Sequence, residues 1–117
     1  MEKYMFIFKG ASDEAAKLSP DEMQQHMQKW YKWIQDLTDR KVYLSGEPLE
    51  KEGKIVSRSG NKNVITDGPF PETKELVGGY FIINANNLDE AAEIAKDCPG
   101  LELGGRVEVR TVMKMDM

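Results

Sequence analysis

An α+β fold is predicted for this chain by three patterns in its sequence. Residues 4–9 and 80–85 are apolar on both faces of a strand, so each needs cover on two sides. Two segments carry helix-start signals followed by apolar stripes. In residues 106–113 polar and apolar side chains alternate, as expected for a strand with one face exposed to solvent. The order is strand, helix, strand, hairpin, strand, helix, strand. We therefore predict a single domain over residues 1–117, with a ferredoxin-like βαββαβ plan and an inserted β-hairpin.

The first helix is predicted by a start signal and by the stripe that follows it. Ser19 is a capping residue, Pro20 suits the first helical position, and Glu22 completes a capping box. The stripe repeats at steps of three and four residues and carries the helix to about residue 39. Its members are Met23, Met27, Trp30, Ile34 and Leu37.

The middle of the chain is predicted to hold short strands. Residues 41–44 form a strand that ends at turn signals in Gly46 and Pro48. Residues 54–59 and 63–66 form a hairpin about Gly60-Asn61. Because the hairpin has modest apolar content and several charges, we expect it to be exposed or at a sheet edge.

The segment DGPFPETKELVGGY, from Asp67 to Tyr80, is predicted to be an ordered, irregular connection. Asp67 and the Gly-Pro pair after it reverse the chain, and Phe70 lies between two prolines that favour extended backbone. Gly78-Gly79 just before strand 80–85 indicates a bulge or a close approach to the backbone. Carboxylates in such a loop are well placed for binding or proton chemistry.

The second helix begins at Asn87 and Glu90, which repeat the capping pattern, and Pro99-Gly100 ends it. Its predicted stripe is Leu88, Ala91, Ala92, Ala95 and Cys98. Two helices cover only one face of the predicted sheet, although its two central strands are apolar on both faces. A second copy of the chain is the simplest cover for the other face, so a homodimer is expected.

The charge and the cysteine content exclude several classes of protein. The chain has 16 basic and 20 acidic residues, a net charge of −4, which gives no electrostatic case for binding nucleic acid or an anionic membrane. One cysteine and one histidine provide neither a disulfide framework nor a recognisable set of metal ligands. The apolar start is too short for a signal peptide or a membrane span. We expect a soluble cytoplasmic protein without metal or other cofactor.

Few side chains are candidates for chemistry, and each has a plainer interpretation. His26, the one histidine, lies at the flank of the first stripe near Trp30, and from spacing alone a solvated boundary histidine is favoured. Asp67 before glycine is, on the residues alone, better explained as an Asx-turn residue. The Tyr80 hydroxyl either enters a cavity or the ring fills the sheet. Cys98 is predicted to be a small buried residue and not a nucleophile.

The sequence resembles the YCII-related, DGPF-type domain family over residues 4–112. The one departure is Thr111-Val112, where relatives usually carry proline. The motifs that carry the resemblance are His26-Met27-Gln28-Lys29-Trp30, Gly46-Glu47-Pro48-Leu49, Thr66-Asp67-Gly68-Pro69-Phe70, Glu72, Lys74-Glu75, Gly78-Gly79-Tyr80, Leu88-Asp89-Glu90-Ala91, Cys98-Pro99 and Val107-Glu108-Val109-Arg110.

The resemblance implies a dimeric α+β barrel and a histidine–aspartate pair at the site. Carried over to this chain, His26 would be the general acid or base, and Asp67 would orient it and stabilise its charged form. The binding residues expected around the pair are Trp30, Phe70, Glu75 and Tyr80. The leading expectation is a small cofactor-free lyase or isomerase that moves a proton on a small, partly apolar carbonyl or phenolic compound.

Two alternatives come from other classes of protein. Related DGPF domains occur beside sigma factors, which implies a non-catalytic ligand-binding or partner-binding domain linked to transcriptional regulation. The third interpretation is a structural dimer whose Asp67 loop only supports the barrel.

Overall fold

The computed structural model describes residues 1–68 and 75–115. The strands are β1 Glu2–Lys9, β2 Tyr43–Pro48, β3 Gly53–Ser59, β4 Lys62–Gly68, β5 Val77–Ala85 and β6 Arg106–Thr111. The helices are α1 Ser12–Ala16, α2 Pro20–Asp39 and α3 Leu88–Ala95, and a 3₁₀ helix spans Pro99–Leu103. Within these residues no helix is long and apolar enough to span a lipid bilayer.

The main sheet has four strands in the order β2-β5-β1-β6, and all of its pairs are antiparallel. The two strands predicted to be central, β1 and β5, lie in the middle, and β6 is an edge. The predicted ferredoxin-like plan is therefore confirmed. The inserted hairpin is confirmed as well, as β3 and β4 in a separate two-stranded sheet.

The core lies between one face of the main sheet and the helices α2 and α3. Phe6, Leu37 and Ile83 are fully buried there, and Trp33 stacks on Phe6 with ring centroids 6.2 Å apart. The remaining core side chains are Tyr4, Phe81, Ala85, Ala91, Ile94, Ala95 and Cys98. The opposite face of the sheet presents half-buried apolar side chains from the central strands: Met5, Ile7, Tyr80 and Ile82.

Helix α2 begins as predicted, but its buried face differs from the predicted stripe. The Ser19 hydroxyl accepts the Glu22 N–H at 3.1 Å, and the Glu22 carboxylate accepts the Ser19 N–H at 3.0 Å. Trp33, which the stripe omitted, is buried with Leu37, whereas Met27 is 40% exposed. The first half of the helix packs less tightly because it borders a cavity.

Helix α3 also departs from its predicted stripe. Ile94 is buried together with Ala91 and Ala95, while Leu88 is 47% exposed and Ala92 is exposed. A helix only eight residues long that rests on the sheet along one side buries a narrow face. At its start, the Asn87 side chain accepts the Glu90 N–H at 2.8 Å.

Several boundaries differ from the sequence expectation: β6 ends at Thr111, and β4 continues through Asp67 and Gly68, which were predicted to reverse the chain. Helix α1 occupies part of the polar connection after β1. Strand β2 runs on through Gly46 to Pro48, which were predicted as turn residues. Strand β5 begins at Val77 and so includes Gly78-Gly79. Phe8 of β1 faces Gly79, but the next residue, Lys9, faces Val77, so the register shifts by one residue at this point. This shift confirms the predicted bulge.

Candidate functional site

A cavity of about 410 Å³ lies between α2 and the helix-facing side of the main sheet. That volume is in the range of small-molecule sites, roughly 300–1,000 Å³. Aromatic rings from β1, α2, β2 and β5 form much of its wall: Phe8, Trp30, Tyr43 and Phe81. Met23, Met27 and Ile34 of α2 add flexible apolar surface. The wall is therefore suited to a compact, largely apolar molecule.

Glycines in β2 and β5 let these two strands approach closely beside the cavity. A Cβ added at Gly46 would lie 2.5 Å from the Phe81 ring, and one at Gly79 would lie 2.8 Å from the Glu47 carbonyl oxygen. Real side chains do not tolerate such distances, so the two backbones approach closely only because both positions lack a Cβ. Gly46 and Gly79 both line the cavity. The glycine pair predicted as a place of close backbone approach thus borders the candidate site.

His26 lies in the cavity wall and is held by its neighbour one helical turn away. The Trp30 indole N–H donates to His26 Nε2 at 3.1 Å. Because an indole nitrogen only donates, Nε2 is the unprotonated nitrogen and Nδ1 carries the hydrogen of the neutral imidazole. Partial burial lowers the pKa of His26, Glu102 opposes this by its charge, and Lys29 adds to it. His26 is therefore neutral at pH 7.

A neutral imidazole at this position has two chemical uses. Its Nδ1–H can donate to a substrate oxygen, and Nε2 can accept a proton when it exchanges its hydrogen bond with Trp30 for one with a substrate. Lys29 and Glu102, which pair with each other at 2.7 Å, lie close enough to influence its charge. The chemistry available is proton transfer near neutral pH.

Cations stand at one end of the cavity. Lys9 and Arg106 both line it, and Lys9 Nζ lies 3.2 Å from Glu108 Oε1 and 3.5 Å from Glu75 Oε2. Arg106 also donates to Glu75, and this hydrogen bond, followed by the charge of Arg106, lowers the pKa of Glu75. Glu75, a predicted binding residue, therefore holds the two cations at the rim and is not itself part of the lining.

Asp67, the predicted partner of His26, lies on β4 and pairs with Lys54 across the hairpin at 2.6 Å. Its side chain is 82% exposed. Among the residues that the structure describes, no hydrogen bond or ion pair joins Asp67 to His26. Within one copy of the chain the orienting contact to His26 comes from Trp30, and the pairing with Asp67 stays a prediction.

Of the other three predicted binding residues, one lines the cavity, one lies on the opposite face of the sheet, and one lies outside the described residues. Trp30 lines the cavity. Tyr80 lies opposite Ile7 and Glu47 on the face of the sheet away from α2, and it is not part of the described lining. Phe70 lies outside the described residues.

Several lining residues were not predicted from the sequence. Tyr43, Glu47 and Ser12 are polar members of the wall, and Ser12 Oγ is buried without a hydrogen-bond partner in the described part of the chain. Nothing in their spacing marked them, because they come from three separate elements. Cys98 also borders the cavity; burial raises the pKa of its thiol to about 11, which fits the predicted inert residue.

Comparisons with known proteins agree with the family resemblance and leave the reaction open. A family model described as the YCII-related domain matches residues 3–116. An uncharacterized protein of Rhizobium meliloti (strain 1021) is 44% identical over 39 residues, which is 33% of this chain and 32% of that protein. The match thus spans about a third of the curated relative's length.

Proposed function

This chain belongs to the YCII-related domain family, and we propose that it acts as a small cofactor-free enzyme of the lyase or isomerase type. Its substrate is a small, partly apolar carbonyl or phenolic compound, and His26 transfers the proton. The observation that carries this proposal is a neutral histidine, fixed by Trp30, in the wall of a largely apolar cavity. General acid–base groups act best when their pKa lies near the working pH.

The proposed step uses one nitrogen of the imidazole. Nε2 gives up its hydrogen bond with the Trp30 indole, takes a proton from the carbon next to the carbonyl group, and leaves His26 as the imidazolium. An isomerase returns that proton to another carbon of the same enolate, whereas a lyase expels a leaving group from the neighbouring carbon. The aromatic wall around Trp30 and Phe81 excludes water from the intermediate.

Asp67 enters the proposal through the family pair, in which the aspartate orients the histidine. A carboxylate close to the imidazole would favour its charged form and raise the pKa of His26, opposite to the effect of partial burial. The direction of the His26 pKa therefore separates two arrangements. A value below 6.5 corresponds to His26 held by Trp30, and a value above 6.5 that falls in Asp67→Asn corresponds to the His26–Asp67 pair.

Exchange of carbon-bound hydrogen for deuterium tests proton abstraction without knowledge of the product. Arylpyruvates and cyclic ketones would be incubated with the protein in D₂O and followed by NMR. We expect the wild type to accelerate exchange at the carbon next to the carbonyl group of at least one probe. The His26→Gln variant should be slower by about 100-fold or more. Glutamine can still accept the Trp30 N–H, but it cannot move the proton.

The control is Gln28→Ala, which changes an exposed side chain on α2 outside the described cavity lining and leaves His26 intact. This variant should retain wild-type exchange. Equal exchange rates in wild type and His26→Gln would overturn the proton-transfer role.

The alternative proposal is a non-catalytic ligand-binding or partner-binding domain linked to a sigma factor. The feature in its favour is the cavity itself, since an apolar wall with a half-buried Trp30 suffices for binding without chemistry. In this case a probe would shift the NMR signals of His26 and Trp30 and yet show no exchange. Co-purification with a sigma factor that depends on the bound probe would support this alternative.

A further inference from the structure

The Tyr43 hydroxyl has a fixed place in the wall of the cavity. Tyr43 begins β2, and its ring meets the Phe81 ring edge to face, with centroids 5.0 Å apart and planes at 88°. A Cβ added at Gly46 would lie 3.0 Å from the Tyr43 hydroxyl oxygen, so the tyrosine ring extends over this position. All three residues line the cavity. Gly46 thus leaves the room that the ring uses, and Phe81 holds the ring in place.

This hydroxyl has no hydrogen-bond partner in the part of the chain that the structure describes. A phenol hydroxyl both donates and accepts, and a tyrosine hydroxyl removed from bulk water usually has a partner. Tyr43 is half-buried, and the Phe81 ring beside it offers no such group. The hydroxyl is therefore available to a molecule in the cavity.

The charges around Tyr43 select the kind of partner. Burial, followed by the negative charge of Glu47, raises the pKa of the Tyr43 hydroxyl, so it keeps its proton at pH 7 and can donate. Glu47 also lines the cavity, and its carboxylate repels a second negative charge placed beside it. Lys9 and Arg106 at the rim do not change this, because both already bind the Glu75 carboxylate. An uncharged oxygen therefore fits this position better than a carboxylate.

Two aromatic rings lie between Tyr43 and His26. Phe81, on which Tyr43 packs, contacts Trp30 with ring centroids 6.0 Å apart. Trp30 in turn contacts His26, with ring centroids 6.4 Å apart. In the described part of the chain no ring contact joins Tyr43 to His26 directly. A flat apolar molecule that lies along Phe81 and Trp30 therefore meets one polar side chain on each side.

We propose that Tyr43 is a specificity-determining binding residue, whose hydroxyl donates a hydrogen bond to an uncharged oxygen of the ligand while the aromatic body of the ligand lies against Phe81 and Trp30. The ligand is thus an aryl ketone or a phenol, in preference to the corresponding carboxylate. The inference rests on the cavity being the ligand site, as in the proposed function. It concerns binding alone and does not require His26 to move a proton.

NMR titration with three probes of similar size tests the hydrogen bond. Acetophenone has an uncharged carbonyl oxygen, benzoate has charged oxygens, and ethylbenzene has none. The wild type should bind acetophenone about 5-fold more tightly than Tyr43→Phe does, which is the loss expected for one neutral hydrogen bond. Ethylbenzene should bind both proteins equally. Benzoate should bind the wild type about 10-fold more weakly than acetophenone, because of the Glu47 charge.

Tyr4→Phe is the matched control, since it removes a tyrosine hydroxyl that lies in the core and outside the described cavity lining. It should bind all three probes as the wild type does. Tyr43→Phe keeps the ring that packs on Phe81, so its fold should be unchanged. Equal affinity of the wild type and Tyr43→Phe for acetophenone would overturn the proposal. So would a wild type that fails to bind acetophenone or binds benzoate as tightly.

Deuterium exchange at the methyl group of acetophenone separates this proposal from the proposed function. Exchange that depends on His26, together with an affinity that ignores Tyr43→Phe, would refute the role of Tyr43 alone. Binding that depends on Tyr43, without exchange of any probe, would refute proton transfer alone.

Discussion

The hydrogen bond that orients His26 comes from four residues further along the same helix. Residues spaced this way on a helix are neighbours, so their meeting could be anticipated from the sequence. The identity of the donor could not, because it depends on the rotamers that Trp30 adopts among Phe8, Trp33 and Phe81. That packing turns the indole N–H toward Nε2 and selects the tautomer.

Replacing Trp30 tests whether its indole N–H stabilises the neutral form of His26. Trp30→Phe removes the donor that stabilises the neutral imidazole and admits more water, so the pKa of His26 should rise toward its ordinary value of 6.5. An NMR titration of this single histidine measures the shift directly. Tyr31→Phe, which changes an exposed ring on the same helix, should leave the pKa unchanged. A His26 pKa that is the same in wild type and Trp30→Phe would refute the role of the indole.

Among the elements, the starts of the helices were predictable because a cap is a local contact. The Ser19 and Glu22 side chains and backbone meet within a single turn, and the Asn87 cap does the same for α3. The buried stripes were less predictable, since periodicity identifies a face of a helix but not what stands opposite it. Trp33 is buried because it stacks on Phe6, while Met27 borders the cavity and stays exposed.

The two adjacent glycines of β5 give a matched test of close strand packing. An alanine Cβ at Gly79 would lie 2.8 Å from the Glu47 carbonyl oxygen and 3.2 Å from Pro48 Cα. Both are backbone atoms that can yield only if β2 moves, so Gly79→Ala should cost about 1–3 kcal/mol of unfolding free energy. At Gly78 the nearest atom is the Phe8 carbonyl oxygen at 4.0 Å. Gly78→Ala should therefore be nearly neutral.

Urea denaturation of the two variants measures the difference. Equal losses of stability in Gly78→Ala and Gly79→Ala would show that the close contact between β2 and β5 at Gly79 does not set the cost of the substitution.

For the whole molecule, the order of the elements and the central positions of β1 and β5 followed from the sequence. The site did not follow in the same way. The cavity is assembled from Gly46, Gly79 and one face of α2, and its rim joins Lys9, Glu75 and Arg106 from distant parts of the chain. Such contacts depend on strand register and on where each chain segment crosses, which a local pattern does not encode. The family resemblance implied His26 as the acid or base and Trp30 as a binding residue, but not the hydrogen bond by which Trp30 orients His26.

Stability of the whole molecule should fall in two steps as the pH is lowered. The pKa of His26 is lower in the folded chain than its ordinary 6.5, so below pH 6.5 the unfolded chain binds more protons and folding weakens. Glu22, Glu75 and Glu102 have pKa values held below the ordinary 4.5 by their hydrogen bonds. Their contribution is present above pH 4.5 and is lost as the pH falls below that value.

Urea midpoints measured across this pH range resolve the two steps. His26→Gln should remove the upper step and leave the lower one unchanged. An upper step that persists in His26→Gln would assign it to some other group.

The position of β1 between β5 and β6 also bears on how the chain is made. A ribosome completes residues 2–9 long before residues 77–111, which supply both neighbours of that strand. During synthesis Phe6 and Phe8 have no sheet to join, whereas β3 and β4 can already pair with each other across their short turn. The nascent chain therefore exposes an apolar central strand for most of its translation, and it is at that stage that a chaperone would have the greatest effect on yield.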